Sequence, residues 1–378
     1  MTVKISVVIP ATNRPKLARD ALLSVLNQSL GPHEIIFSNN GANPQVFAAI
    51  RDLLAADFIH YYEQPALLSM PDHWNFLVEK AQGTHLIVVT DRSILKRDAI
   101  ERLTAVFAEN KGVEVISWPW DLYYESGHVR RYKSKYHEGR VAAEEVLIES
   151  LDPFSGYPVR LPRALNSCVS MAVIEKIRRT TGSVFGPLNP DYSFAYNCLL
   201  SIEWLYFLGR PLMVMQGLNV SNGGHSYLGA ATGYISSLGI RDPFKYSPVK
   251  AALVENSIIE DFYVACRRYK RLDLLKKFDV TSLYIRCHLE YLEKWSARIL
   301  SSDELRQIKF EIQNAIAKEN IEIHRKVKSI KTGLWRRHLY LLAKRVVPYA
   351  YRDRLRALLF YVLRVERSPS ALKAAGFM

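Results

Sequence analysis

Up to Arg92 the chain alternates short apolar runs with amphipathic stretches, and this rhythm restricts its fold more than any other feature. Ile5–Ile9 is an apolar run that ends in Pro10-Ala11-Thr12-Asn13-Arg14. From Pro15 onward Leu17, Ala21, Leu22, Val25 and Leu26 recur at helical spacing. Proline suits a first helical turn, because the N–H it lacks would have no partner there. Glu34–Phe37 predicts a second strand, closed by Ser38-Asn39-Asn40-Gly41, and residues 44–55 predict a helix. A third strand over Phe58–Tyr62 follows. Trp74, Leu77, Val78 and Ala81 then mark the buried stripe of another helix, with Trp74 in the core. His85–Val89 is a fourth strand, ending at Thr90-Asp91-Arg92. Strands apolar on both faces and separated by helices predict an α/β fold with a mostly parallel sheet flanked by helices.

In such sheets ligands bind beyond the C-terminal ends of the strands. Those ends are Pro10–Arg14, Ser38–Gly41 and Thr90–Ser93, which makes Pro10, Thr12, Arg14, Asn39 and Asp91 the expected lining of a site. Asp91 has two readings from position alone. It can hold a divalent cation on a diphosphate, since hard cations take oxygen ligands, or it can cap a helix that starts near Arg97.

Further on, 113–118 reads as a strand, and 121–165 as loops with a small helix. A helix ends over Ile174–Arg179. Another starts at Asp191 with Phe194, Leu199, Ile202 and Tyr206 on its inner face. Leu212–Met215 is a strand, followed by the polar loop Ser221-Asn222-Gly223-Gly224-His225. Beyond about residue 247 the periodicity is helical. The expected division is 1–246, a helical extension over 247–330 and a tail over 331–378.

The net charge of +14 belongs to the tail. Residues 325–378 hold fourteen Lys or Arg against Asp353 and Glu366, giving +12 and leaving +2 for the first 324 residues. Trp335, Leu339, Leu342 and Val346 share one helical face, with Arg336, Arg337, Lys344 and Arg345 elsewhere around it. After Pro348, Tyr351, Leu355, Leu358, Leu359 and Val362 repeat the pattern, with Arg352, Arg354, Arg356 and Arg364 outside. Basic amphipathic helices lie in the interface of anionic membranes; the competing reading is a helical pair docked on the core or on a second subunit. Truncation after about residue 330 is expected to release the protein from membranes and spare the N-terminal site. No run approaches the roughly 18 apolar residues of a membrane span, and the chain opens directly on a strand, so the expected location is cytoplasmic, peripheral at the cytoplasmic face of the membrane. Cys168, Cys198, Cys266 and Cys287 have no metal-knuckle or redox-pair spacing and read as buried free thiols. No nucleic-acid module accompanies the basic tail, so no nucleic-acid partner is expected.

Residues Ile5–Arg14, then Ala21-Leu22-Leu23-Ser24-Val25-Leu26-Asn27-Gln28-Ser29, then Glu34-Ile35-Ile36, resemble the opening of family 2 glycosyltransferases with the GT-A fold. Ala81-Gln82-Gly83 leading into Val88-Val89-Thr90-Asp91 is similar to that family's approach to its metal-binding acidic motif. The resemblance covers 1–105, is weaker over 160–226 and is absent after about 247. It implies a Rossmann-like GT-A domain, a nucleotide-sugar donor (a UDP-sugar foremost) and a glycan or lipid-linked acceptor in surface polysaccharide or glycolipid synthesis. It also implies inverting, hexosyltransferase-type transfer with manganese or magnesium. Pro10, Thr12, Arg14, Asn39, Asp91 and Arg92 then become the nucleotide-binding set. Asp191 matches the place of the catalytic base, although Asp is also a favoured residue at a helix N-terminus. His225 stands where many such enzymes have a histidine at the metal or diphosphate, although a lone loop histidine is commonly just solvated. Trp118 and Trp120 have faces suited to an acceptor sugar, with core packing the role of one of them.

Two positions depart from the family. Asn39 stands where it usually has Asp against the base. Asp91-Arg92-Ser93 carries one carboxylate where the acidic motif has two or three, so a cation is held weakly or is dispensable, and Arg92 can bring positive charge to the phosphates. Two other readings compete. A nucleotidyltransferase that makes nucleotide sugars is disfavoured because Pro10–Pro15 contains no Gly. A degenerate transferase domain serving as a membrane-bound scaffold is kept open by the thinned acidic motif.

Overall fold

A computed structural model describes residues 3–154, 158–216, 227, 229, 231–334 and 365–377. It divides into two compact units, Met1–Leu147 with Pro158–Leu218 and Val365–Met378, and Ile148–Tyr157 with Asn219–Arg364.

In chain order the elements of the first part are β1 (Ile5–Ala11), α1 (Pro15–Leu26), β2 (Glu34–Asn40), α2 (Pro44–Ile50), β3 (Ile59–Gln64), α3 (Met70–Lys80), β4 (His85–Val88), β5 (Ser93–Leu95), α4 (Ala99–Glu109), β6 (Val115–Ser117), β7 (Trp120–Tyr123), β8 (Val129–Arg130), β9 (Gly139–Ala142), α5 (Ala143–Leu151), β10 (Ser167–Ser170), α6 (Met171–Thr181), α7 (Pro190–Ser201), β11 (Trp204–Phe207) and β12 (Met213–Met215). An eight-stranded sheet has the order β3-β2-β1-β4-β10-β6-β11-β9, and a smaller sheet the order β5-β12-β7-β8. The strands β3, β2, β1 and β4 run parallel, as their apolar runs predict, while β10 is antiparallel to both its neighbours. Every residue of β1 and β2 is buried. The core joins Val7, Ile9, Ile35, Phe37 and Ile87 of the sheet to Ala18, Leu22 and Val25 of α1 and to Leu103 and Val106 of α4.

The Ala81-Gln82-Gly83 motif has a local reason. Buried Glu34 accepts from Ser6 Oγ at 2.5 Å and from the backbone N–H groups of Gln82 at 2.6 Å and Gly83 at 3.1 Å. A Cβ on Gly83 would lie 2.5 Å from Ser6 Oγ and 2.6 Å from the Lys4 carbonyl oxygen, so this approach requires glycine. Across the sheet, buried His73 on α3 holds Ser38 through Nε2 at 2.8 Å. Burial pushes its imidazole down to about 4 from 6.5. Between these values the unfolded chain binds more protons than the folded one, so this contribution is complete above pH 6.5 and is lost as pH falls toward 4. His73 alone should lower unfolding free energy by about 2 kcal/mol between pH 7 and pH 5. Urea unfolding of His73→Asn at the two pH values should show that much less pH dependence; an unchanged difference would contradict the assignment.

The second unit contains α8 (Ala231–Ser237), α9 (Val254–Arg268), α10 (Leu272–Lys277), α11 (Val280–Ala297), α12 (Ser302–Ala317) and α13 (Ile321–Gly333). Its centre holds a fully buried ion pair, Glu290 with Lys294 at 3.1 Å. Glu290 also accepts from the N–H groups of Val254 and Glu255 at the start of α9, at 3.0 and 2.8 Å. Lys294 also donates to the carbonyls of Tyr227 and Gly229 at 2.9 and 2.6 Å. Buried charges persist only where partners replace water in this way. Among the described residues no helix is long and apolar enough to cross a membrane, and all four cysteines are buried and free.

The structure departs from the sequence expectations in several places. Segment 121–165 contains strands as well as α5, because β7 pairs with β12, β8 with β7 and β9 with β11. The helix at Asp191 ends at Ser201, and Tyr206 lies on β11. Residues 231–246 group with the helices of the second unit instead of ending the first. The tail is divided. Residues 335–364, which include most of its amphipathic pattern, lie outside the described residues. Residues 365–377 pack on the small sheet of the first unit through α14 (Ala371–Ala374), joining Ile94, Val129 and Val214 in one apolar cluster. Truncation after residue 330 therefore removes part of the first unit and does not spare it.

Candidate functional site

The parallel register sets Pro10 beside Ser38 and Ala11 beside Asn39, and the Val89 N–H reaches the Val8 carbonyl at 2.9 Å. The loops after β1, β2 and β4 consequently leave one edge of the sheet. Asn43 locks two of them. Its amide donates to the Thr12 carbonyl at 3.0 Å, and its side-chain oxygen caps α2 through the Gln45 N–H at 2.9 Å. Asn39 is wholly buried beneath this turn. Its Oδ1 accepts from the Asn43 N–H at 3.1 Å, and its Nδ2 donates to the Asn43 carbonyl at 2.9 Å and to the Tyr61 hydroxyl at 3.2 Å. Pro10 is buried within β1, while Thr12 and Arg14 are half-buried at the edge.

Arg14 and Asp91 meet. The guanidinium grips both carboxylate oxygens, Nε to Oδ2 at 2.7 Å and Nη2 to Oδ1 at 2.9 Å. The Asp91 side chain is 2% exposed. Burial pushes its carboxyl upward, opposed by the charges of Arg14 and then Arg92. The helix-cap alternative fails on geometry, because α4 begins after Asp98. Arg92 donates to the Gln216 carbonyl at 3.3 Å and accepts from its N–H at 2.9 Å, which ties this loop to the end of β12. Ser93 is buried in β5, with its hydroxyl on Thr90 Oγ1 at 2.8 Å and on the Met215 sulfur at 3.3 Å.

Asp191 occupies the first turn of α7, after Asn189 and Pro190. Ser193 fixes this turn, accepting from the Gly186 N–H at 2.8 Å and donating to the Pro190 carbonyl at 3.1 Å. Behind it, Phe185 stacks on Phe194 and meets Trp74 edge-on, with ring centroids 5.3 and 5.2 Å apart. The Asp191 side chain is 23% exposed and lies 3.7 Å from Arg163 Nη1. Burial pushes its carboxyl upward; Arg163, the first-turn N–H groups and Arg92 oppose that.

Arg163 was not among the residues expected from sequence. Its guanidinium lies over the Trp120 ring at 4.9 Å and near the Tyr192 ring at 5.5 Å. Only the Leu-Pro-Arg sequence, a basic residue after a proline in a segment rich in aromatics, hinted at it. Trp120 and Asp191 thus both approach Arg163, whereas Trp118 is entirely in the core and presents no face to a sugar. His225 lies outside the described residues. Among the described residues no group of three His, Cys, Asp or Glu is placed to hold a metal. Asp91 has both oxygens on Arg14, Arg92 follows it and Ser93 is turned into the small sheet, so this donor set does not fit a divalent cation.

Residues 6–161 match the family model described as Glycosyl transferase family 2. The matched segment is similar to that family's transferase domain. It carries β1 to β4 and the Arg14–Asp91 pair, while Asp191 lies beyond it. No curated protein sequence matches the chain. Among solved structures, the chain resembles S. aureus TarS 1-349 in complex with UDP-GlcNAc. The TM-score is 0.53 at 12% identity, over 96% of this chain and 92% of that one. That likeness shows the GT-A fold. TarS 1-349 in complex with UDP has a TM-score of 0.48 at 14% identity, covering 87% and 92% of the two chains. Against S. aureus TarS the score is 0.47 at 14% identity, and 86% of this chain spans 55% of that one.

Proposed function

We propose that the chain transfers a hexose from a UDP-sugar to a glycan or lipid-linked acceptor with inversion at the anomeric carbon, as a step in making a surface polysaccharide or glycolipid. The observation that carries the reading is electrostatic. Arg14 grips Asp91 at the strand edge inside the matched domain, and Arg163 Nη1 lies 3.7 Å from Asp191 on α7 beyond it, so basic groups stand at both carboxylates where an anionic donor would sit. The donor diphosphate lies at that edge, and Asp191 takes the proton from the acceptor hydroxyl. Oxygen attacks the anomeric carbon as the bond to the diphosphate breaks, and its electron pair leaves with the nucleotide. The first turn of α7 favours the ionised carboxylate, and Trp120 presents its ring to Arg163, the neighbour of the base. The UDP-GlcNAc held by the TarS structure supports a uridine nucleotide as the first donor to try. The test is a screen of nucleotide sugars for binding and slow hydrolysis, with the anomer of the released sugar read by NMR. A protein that binds none of them, or releases a retained anomer, removes the proposal.

Arg163 should set the working pH of Asp191. Because burial raises the Asp191 carboxyl, the acid limb of kcat/KM should stand above the ordinary carboxylate range. In Arg163→Gln the opposing charge is gone and the limb should move to higher pH; Arg163→Lys should return it part of the way. A limb that stays in place would make Arg163 a packing residue only.

The basic residues between 325 and 364 are the basis for peripheral attachment to an anionic membrane at its cytoplasmic face. Each Lys or Arg near such a surface contributes about 1 kcal/mol. Neutralising Arg352, Arg354 and Arg356 with glutamine should reduce co-sedimentation with phosphatidylserine vesicles at low salt and leave nucleotide binding intact. Full-length protein that ignores those vesicles would end the membrane reading.

A further inference from the structure

Resting on the proposed donor site, we infer that this chain holds the nucleotide diphosphate without a divalent cation, with Arg92 in the cation's place and the Arg14–Asp91 pair behind it. A metal on a diphosphate needs carboxylate lone pairs aimed at the phosphate oxygens. At Asp91 one lone pair of each oxygen is taken by Arg14, at 2.7 and 2.9 Å, and a cation binding the rest would have to enter a nearly closed pocket beside that guanidinium. The Asp91 side chain is buried beneath that guanidinium, which is itself the more exposed of the two. Ser93 cannot turn outward, because its hydroxyl and its strand pairing with Met215 hold it in the small sheet. A divalent cation placed at Asp91 would also approach two guanidinium groups.

The same arrangement is suited to an anion. Arg92 directly follows Asp91 at the strand edge, and its guanidinium is held at the end of β12 by the Gln216 carbonyl at 3.3 Å, from where its charge also opposes the burial of Asp191. This is the position where a diphosphate between a strand-edge nucleotide and a helix-borne base would fall. The backbone of Arg92 is pinned on both sides, by the Ser93 N–H on the Thr90 carbonyl at 2.8 Å and by the Gln216 N–H on its own carbonyl at 2.9 Å. A guanidinium binds phosphate through a planar fork of donors and stays charged at any working pH. As the sugar–oxygen bond breaks, the charge arriving on the β-phosphate falls to Arg92, and the acceptor proton goes to Asp191. Asp91 in this account orients Arg14 and keeps the net charge at the edge low enough for the product to leave.

The test is calorimetric titration of UDP into the full chain, in EDTA and again with manganese chloride in excess. The two affinities should agree within about threefold, and Arg92→Ser should weaken both by about tenfold or more with no rescue by manganese. Arg92→Lys, which keeps the charge and loses the fork, should fall between the two. Thermal melts of each variant separate a lost contact from a lost fold. Binding that requires manganese, or tightens by more than about tenfold with it, overturns the inference and leaves the nucleotide site standing. Binding of UDP in neither buffer overturns the donor reading and this inference together.

Discussion

Asp191→Asn should slow sugar transfer by about 10²–10⁴-fold while UDP affinity stays within about threefold of the parent. The amide keeps the shape of the carboxylate but cannot take the acceptor's proton. It should also keep the place of α7, because the helix is held from behind. Asn75 Oδ1 accepts the N–H groups of Val184 and Phe185, both at 3.0 Å, and Ser193 bonds Gly186 and Pro190. Steady-state transfer with product detection, paired with UDP titration, separates the two effects. A variant that transfers at the parental rate would put the base elsewhere. Asp121 and Glu203 are weaker candidates. Asp121 is buried in a network with Lys96 and Arg131, each at 2.9 Å, and with the Tyr132 N–H at 2.8 Å, and Glu203 follows the end of α7, at the far end of that helix from Asp191.

Deleting residues 365–378 should destabilise the first unit by several kcal/mol, on the order of 3–5, and lower its melting temperature by roughly 10 °C. Ala371, Ala374 and Ala375 are buried against Ile94, Val129 and Val214. The Val129 N–H bonds the Glu366 carbonyl at 2.7 Å, and the Ser368 N–H bonds that of Gly127 at 2.8 Å. Arg131 joins Glu366 at 2.6 Å, Asp121 at 2.9 Å and the Ala374 carbonyl at 2.8 Å. Without the segment, apolar residues of the small sheet face water and the buried Asp121 loses the anchor of its partner Arg131. Because β5 of that sheet directly follows Asp91 and Arg92, UDP affinity should fall as well. Differential scanning calorimetry of the deleted chain decides the matter: an unchanged melt would make the segment an adhering end with no structural role.

Arg14 and Asp91 were legible in the sequence as residues of one sheet edge, because β1 and β4 read as buried strands of a parallel sheet and both residues follow a strand's C-terminal end. Their mutual grip was not legible. It depends on the rotamers of two side chains from loops far apart in sequence. Asn39 was also readable by position, yet its amide serves the Asn43 turn, a bond that depends on a backbone path visible only in three dimensions. Arg163 escaped because the stack with Trp120 and Tyr192 draws on three separate segments. The strands between Trp120 and Ala142 escaped for a related reason. They are short and of mixed polarity, and partners supplied by β12 and β11 define them.

What the sequence determined by itself is the layering of the first unit and the edge at which its loops gather. Those follow from period and polarity over a few residues, from proline at helix starts, and from the single residue type that fits at Gly83. What only the tertiary structure decided is how charged groups are shared at that edge, and that a short C-terminal piece completes the small sheet. A helix as short as Ala371–Ala374 has no stability of its own. Ion pairs depend on distance in space, which sequence separation does not encode. The Arg14–Asp91 pair and the Arg131 anchor of residues 365–377 therefore exist only once the sheets have formed.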